Sequence, residues 1–167
     1  MDKSQLGRAG ELALAFYALV TSDGSLELYD PLVDDDHVDL VGGLRGELPR
    51  LGIQVKTSDG VDRDGLIEAR ASYPAGGLRS DPAFIYAVLL LAEVSIAVAW
   101  LVPSPDFNRL AYRTGSAGRE VLEFRASPDG EDVFAPFRTP AVGIGPALMR
   151  MLPPASPAWL RSISASR

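Results

Sequence analysis

Apolar positions recur with a helical rhythm early in the chain and with strand rhythms after it. From Ala9 to Val20 the sequence reads Ala-Gly-Glu-Leu-Ala-Leu-Ala-Phe-Tyr-Ala-Leu-Val, with Glu11 as its only charged residue. The spacing predicts a helix beginning near Ser4 or Gln5 and running through Val20. Its strongest apolar stripe is Leu6, Ala9, Ala13, Phe16, Tyr17 and Val20, and a helix apolar almost all round is expected to be buried on most sides. Glu11 falls roughly opposite that stripe, among Gly7, Leu14, Ala15 and Ala18. A carboxylate in such surroundings needs an ion pair, a hydrogen bond or a metal.

Two segments then alternate with period two. In His37-Val-Asp-Leu-Val41 the single acid is Asp39, and in Leu51-Gly-Ile-Gln-Val-Lys56 the side chains of Gln54 and Lys56 share one face while Ile53 and Val55 take the other. The intervening Gly42–Arg50 segment is rich in glycine and carries Pro49, which predicts an antiparallel hairpin with a long loop, Asp39 facing Gln54 and Lys56. The longest apolar run, Phe84–Val102, is divided by Glu93 and Ser95. Its β-branched and aromatic content predicts two buried strands around a turn at Ala92–Ser95 and no membrane span.

The pattern gives an α/β (α+β) domain with a central sheet of about five strands. Tyr73–Pro82 reads as an irregular connection or a poor helix, and Glu120–Arg125 as a strand. Gly145–Leu152 reads as a short helix with proline near its start, and a last short helix is expected around Trp159 and Leu160. One domain spans residues 1–167, with an extension from about residue 105 whose packing the pattern does not specify.

Composition narrows the chemistry. A chain of 167 residues is long enough for one domain with a proper core. The absence of cysteine excludes disulfides, thiolate zinc sites and a cysteine nucleophile. The N-terminus lacks the features of an export signal, so a cytoplasmic setting is expected. Lys56 is one of two lysines beside fourteen arginines, which points to a need for a compact point charge at that strand position. The net charge of −6 opposes a phosphate-gripping surface. However, seven acids lie between Asp23 and Asp39, and Arg45, Arg50, Arg63, Arg70 and Arg79 follow close to the strand pair.

Glu11 on a first helix, Asp39 on one strand and Gln54-Val55-Lys56 on the next resemble the PD-(D/E)XK, or restriction-endonuclease-like, nuclease superfamily. The triplet is similar to the Q-x-K variant of relatives of Holliday-junction resolvases, and to bacterial domains opening on a Gly-x-x-Gly-Glu helix, here Gly7-Arg-Ala-Gly10-Glu11. The resemblance covers roughly the first 60 residues. It implies a restriction-endonuclease-like core in which Glu11, Asp39, Gln54 and the Val55 carbonyl hold Mg²⁺ or Mn²⁺ and Lys56 attends the attacking water. The implied function is metal-dependent hydrolysis of phosphodiester bonds in DNA, with no membrane partner and a homodimer left open. Replacing the acid of the triplet by Gln54 removes a negative charge, which keeps alive the alternative of an inactive nuclease-fold module binding nucleic acid or a protein.

Ordinary structural roles are also available. Glu11 can pair with an arginine such as Arg45 or Arg50, Asp39 can bond backbone amides of the hairpin, and Lys56 can reach to water along its apolar stem. His37, Thr57, Ser58, Tyr73 and Arg79 are further polar groups near the strands, and Asp34–Asp36 reads as a solvated acidic turn.

Overall fold

The computed structural model describes residues 1–31, 37–93, 95–116 and 118–154. The Asp34–Asp36 turn and the expected last helix lie outside the described residues. In chain order the elements are α1 (Lys3–Thr21), β1 (Leu26–Tyr29), β2 (Leu40–Leu44), β3 (Leu51–Ser58), β4 (Ile67–Pro74), β5 (Phe84–Ala92) and β6 (Ser95–Pro103). They continue with α2 (Ser104–Leu110), β7 (Tyr112–Ser116), β8 (Arg119–Ala126), β9 (Arg138–Thr139) and α3 (Ile144–Met151). No described helix is long and apolar enough to cross a membrane.

The main sheet has six strands in the order β1-β2-β3-β5-β6-β9, and β4-β8-β7 form a second sheet of three. Pairing in the main sheet is antiparallel except between β3 and β5, which run parallel with Gln54 beside Tyr86. One face of the main sheet, with Ile53, Val55, Ile85, Ala87 and Leu89, packs on Leu14 and Ala18 of α1 and on Ile144 and Leu148 of α3. The other face, with Phe84, Tyr86, Val88 and Trp100, packs on Ile67, Ala71 and Tyr73 of β4, on Phe124 of β8 and on Phe107 of α2. Strands β5 and β6 are therefore covered on both faces, which is why they read as continuous apolar runs.

Helix α1 starts with a capping box: the Asp2 carboxylate accepts the Gln5 N–H at 2.9 Å and the Gln5 side-chain oxygen accepts the Asp2 N–H at 3.1 Å. Its buried line is Gly10, Leu14 and Ala18, flanked by Leu6, Ala9, Ala13 and Tyr17. Leu12, Phe16, Leu19 and Val20 are exposed. This corrects the expected burial of Phe16 and Val20. Close contacts rather than apolar bulk set the rotation of the helix. A Cβ at Gly10 would lie 1.9 Å from Thr57 Oγ1, and one at Gly145 of α3 would lie 2.7 Å from Thr21 Oγ1, whose oxygen also accepts the Gly145 N–H at 2.7 Å.

The hairpin loop is shorter than expected, because Gly42 and Gly43 are strand residues paired with Leu28 and Glu27 of β1. A Cβ at Gly42 would meet the Leu28 side chain at 2.7 Å, and one at Gly43 would meet Pro49 Cα at 3.0 Å. Glycine here serves close approach within a sheet, a use that resembles a turn signal in sequence. At its other end β2 begins at Leu40 and not at His37, whose φ of 65° takes it out of the strand. Tyr73–Pro82 is the end of β4 followed by an irregular connection.

Gly10→Ala is predicted to lower stability by about 1–3 kcal/mol through overpacking against Thr57, despite alanine's better helix propensity. Thr57→Ala should recover part of that loss, since it removes the oxygen the new methyl strikes. Thermal melts of the two single variants and the double variant check this coupling.

Candidate functional site

The site forms where β2 begins. Asp39 donates its own N–H to the Ile53 carbonyl at 2.9 Å, and its Oδ2 accepts the Val55 N–H at 2.6 Å. A side-chain carboxylate thus continues the backbone ladder by one step and lies close to the plane of the sheet. The β2–β3 register ends at Leu40 opposite Ile53, and the bond from the Val55 N–H places the Asp39 carboxylate against β3 between Gln54 and Lys56, which share one face of that strand. Lys56 follows on that face, half-buried and without an ion pair among the described residues.

The floor beneath them is aromatic. Gln54 is 3% exposed, and its Oε1 accepts the Tyr73 hydroxyl at 2.9 Å. The Tyr73 and Tyr86 hydroxyl oxygens are 2.6 Å apart. Tyr86 stacks on Phe107 with ring centroids 3.9 Å apart, and the His37 ring meets Tyr73 edge-on at 5.0 Å. Burial pushes the Tyr73 phenol above its ordinary range. Burial first, and then the hydrogen bond to Tyr73, push Tyr86 far above it. Burial thus favours the neutral phenol at both positions.

The other sequence candidates scatter. Glu11 is one-fifth exposed and pairs with Arg8 at 2.8 Å, an arginine that also grips Asp30 through two hydrogen bonds of 2.8 and 2.9 Å. Its partner is thus neither Arg45 nor Arg50. Asp30 draws the Arg8 pKa up, and Arg8 holds the Asp30 carboxyl below its usual range. Glu11 opens on a cleft lined by Leu28, Asp30 and Leu40. Val55 enters the site through its N–H on Asp39. Thr57 faces Gly10 of the helix.

Of the five arginines near the strand pair, Arg50 and Arg79 share a cavity of about 320 Å³ with Val38, Gly52 and Asp81. Arg79 stacks over the Phe84 ring at 4.7 Å, with Asp81 at 3.9 Å. Arg45 and Arg70 are mostly exposed and pair with Glu27 and Glu123. Among the described residues no three acids or histidines gather in a cluster suited to a metal ion.

Tyr86 is the member of this cluster that the sequence pattern hides, because it lies inside an apolar run and only the parallel register of β5 places it beside Gln54.

The chain thus has a mixed α/β fold, a helix-covered mixed sheet with an acid, an amide and a lysine gathered on β3 where β2 begins. Among solved structures the chain is similar to a bacterial homing endonuclease, I-Ssp6803I, with a TM-score of 0.52 at 17% sequence identity, over 83% of this chain and 89% of that one. No family model and no curated protein sequence matches the chain.

Phenols whose folded pKa lies above the unfolded value of about 10 stabilise the fold fully below that pH. Above it the unfolded chain releases protons the native state retains, so stability falls as pH rises. Spectrophotometric titration of the five tyrosines should show Tyr73 and Tyr86 ionising only as the fold opens. Ionisation of all five near pH 10 in the folded protein, about the free phenol value, would contradict this.

Proposed function

We propose that this protein hydrolyses phosphodiester bonds in DNA with the help of a divalent cation, Mg²⁺ or Mn²⁺, held at Asp39. The observation that carries the reading is the Asp39 carboxylate bonded to the Val55 N–H, between Gln54 and Lys56 of β3, on a fold similar to that of a homing endonuclease. A hard cation takes oxygen ligands, and Mg²⁺ commonly uses one or two carboxylates together with waters and substrate phosphates. With no triad of acids among the described residues, the donor set fits a site completed by the substrate better than an all-protein cage. When bound, the ion supplies Lewis acidity toward a phosphoryl oxygen and the attacking water.

The chain's own groups do the rest. The Val55 N–H holds the Asp39 carboxylate in place. Lys56 orients the nucleophile and offsets charge developing on the pentacoordinate phosphorus. Glu11 is a second acid the site can recruit if its carboxylate exchanges Arg8 for the cation. Arg50 and Arg79 line the adjoining cavity and contact the flanking backbone. One such centre cuts one strand, so scission of a duplex calls for two copies of the chain or two successive events. The rival reading, a binding module that does not cut, draws on the amide at position 54.

Calorimetric titration of Mg²⁺ and Mn²⁺, run beside cleavage of plasmid, single-stranded and branched DNA, tests the proposal. Asp39→Ala is expected to lose metal binding and cleavage together. Lys56→Ala should keep the metal while turnover drops by about 10²–10³, the scale on which electrostatic stabilisers act. A wild-type protein that binds neither cation and cuts nothing would leave the binding-module reading in possession.

A further inference from the structure

We infer that Gln54 acts as a hydrogen-bond donor to a phosphoryl oxygen of the nucleic-acid backbone, aimed by Tyr73 and Tyr86, an inference that rests on the phosphodiester reading above. An amide has an accepting end and a donating end, and the buried hydroxyls decide which end faces inward. Tyr86 donating to Tyr73, and Tyr73 donating to Gln54 Oε1, gives every hydroxyl hydrogen an acceptor over spacings of 2.6 and 2.9 Å. In the reversed chain Gln54 donates to Tyr73 and Tyr73 to Tyr86. That order leaves the Tyr86 hydrogen without an acceptor among the described residues, in a side chain that is fully buried. A buried donor without a partner is costly, so the first polarity is the one the fold selects.

With Oε1 held inward, the Nε2 end turns away from Tyr73, and it donates no hydrogen bond among the described residues. Lys56 lies two residues along the same face of β3, and the Asp39 carboxylate is held on the adjacent Val55 N–H. The site thus presents an N–H where an acid of the (D/E)-x-K pattern would present an anionic oxygen. An N–H complements a non-bridging phosphoryl oxygen, whereas a carboxylate repels it. Tyr73 and Tyr86 touch no substrate in this arrangement and act as positioning residues through Gln54. The edge-on contact of His37, 5.0 Å from the Tyr73 ring, and the Tyr86 stack on Phe107 fix the two rings that carry the hydroxyls.

The test is the affinity of a short DNA duplex, measured by fluorescence anisotropy in EDTA so that neither metal binding nor cleavage contributes. Wild type is compared with Gln54→Glu, Gln54→Ala, Tyr73→Phe and the Tyr73→Phe/Gln54→Ala double variant, with melting curves to show that each is folded. Gln54→Glu keeps the shape and the acceptor for Tyr73, so it serves even if Tyr73→Phe proves unstable. It is expected to weaken binding by about tenfold or more, the worth of a hydrogen bond to a charged group. Tyr73→Phe should also weaken binding, and its effect should vanish when Gln54 is already alanine. Equal or tighter binding by Gln54→Glu, or an undiminished Tyr73→Phe effect in the Gln54→Ala background, would overturn the inference while leaving the nuclease reading intact. A wild type with no affinity for DNA at any salt concentration would remove both.

Discussion

The hydrogen bond from the Val55 N–H to the Asp39 carboxylate, 2.6 Å long, is the contact on which the site depends. A charged acceptor makes such a bond shorter and stronger than its neutral counterpart. Here it also does what a backbone carbonyl would otherwise do, extending the β2–β3 ladder past the point where His37 leaves the strand. The acid is thereby fixed near the sheet plane beside Gln54 and Lys56. Loop residues in the same position would need separate anchoring to present the same three groups.

Strand β3 can bear this role because it is held on every side. β2 and β5 flank it in the sheet, α1 presses on it through Gly10 and Thr57, and the β4 sheet covers its other face. The two faces differ in kind. Toward α1 and α3 the core is aliphatic, with Ile53, Val55, Leu14 and Leu148. Toward β4 it is aromatic and contains the two phenols that grip Gln54. Hydrogen bonds in such a low-dielectric setting are strong when complete and costly when broken, which holds a polar group at one orientation beneath an otherwise apolar floor.

Much of this was legible in the chain, and the losses have physical causes. The first helix, β3 and the β5–β6 hairpin carry long, regular apolar periods that mark their limits in the sequence. Strands β1, β7 and β9 are short, and β4 is polar on its outer face, with Glu68 and Arg70 exposed. Their identity comes from pairing with distant partners, which local periodicity does not encode. Gly42 and Gly43 suggested a loop because glycine's lack of a side chain serves turns and close packing alike. Phe16 and Val20 were assigned to the core by bulk, whereas Gly10 and Gly145 decided which helix face could approach. The contact of Tyr86 with the Tyr73–Gln54 pair required the parallel crossover between β3 and β5, which no local pattern encodes.

Arg8, Arg45, Arg50, Arg70, Arg79 and Arg125 pair with acids, whereas Lys56 is not paired among the described residues. The most direct test of the central claim is a crystal structure of the Lys56→Ala variant with a DNA duplex and Mn²⁺, the ion located by anomalous scattering. Manganese is expected on the Asp39 carboxylate, with a backbone phosphate over Gln54. Manganese elsewhere, for example on the acids around Arg125, or DNA bound across another face, would contradict it.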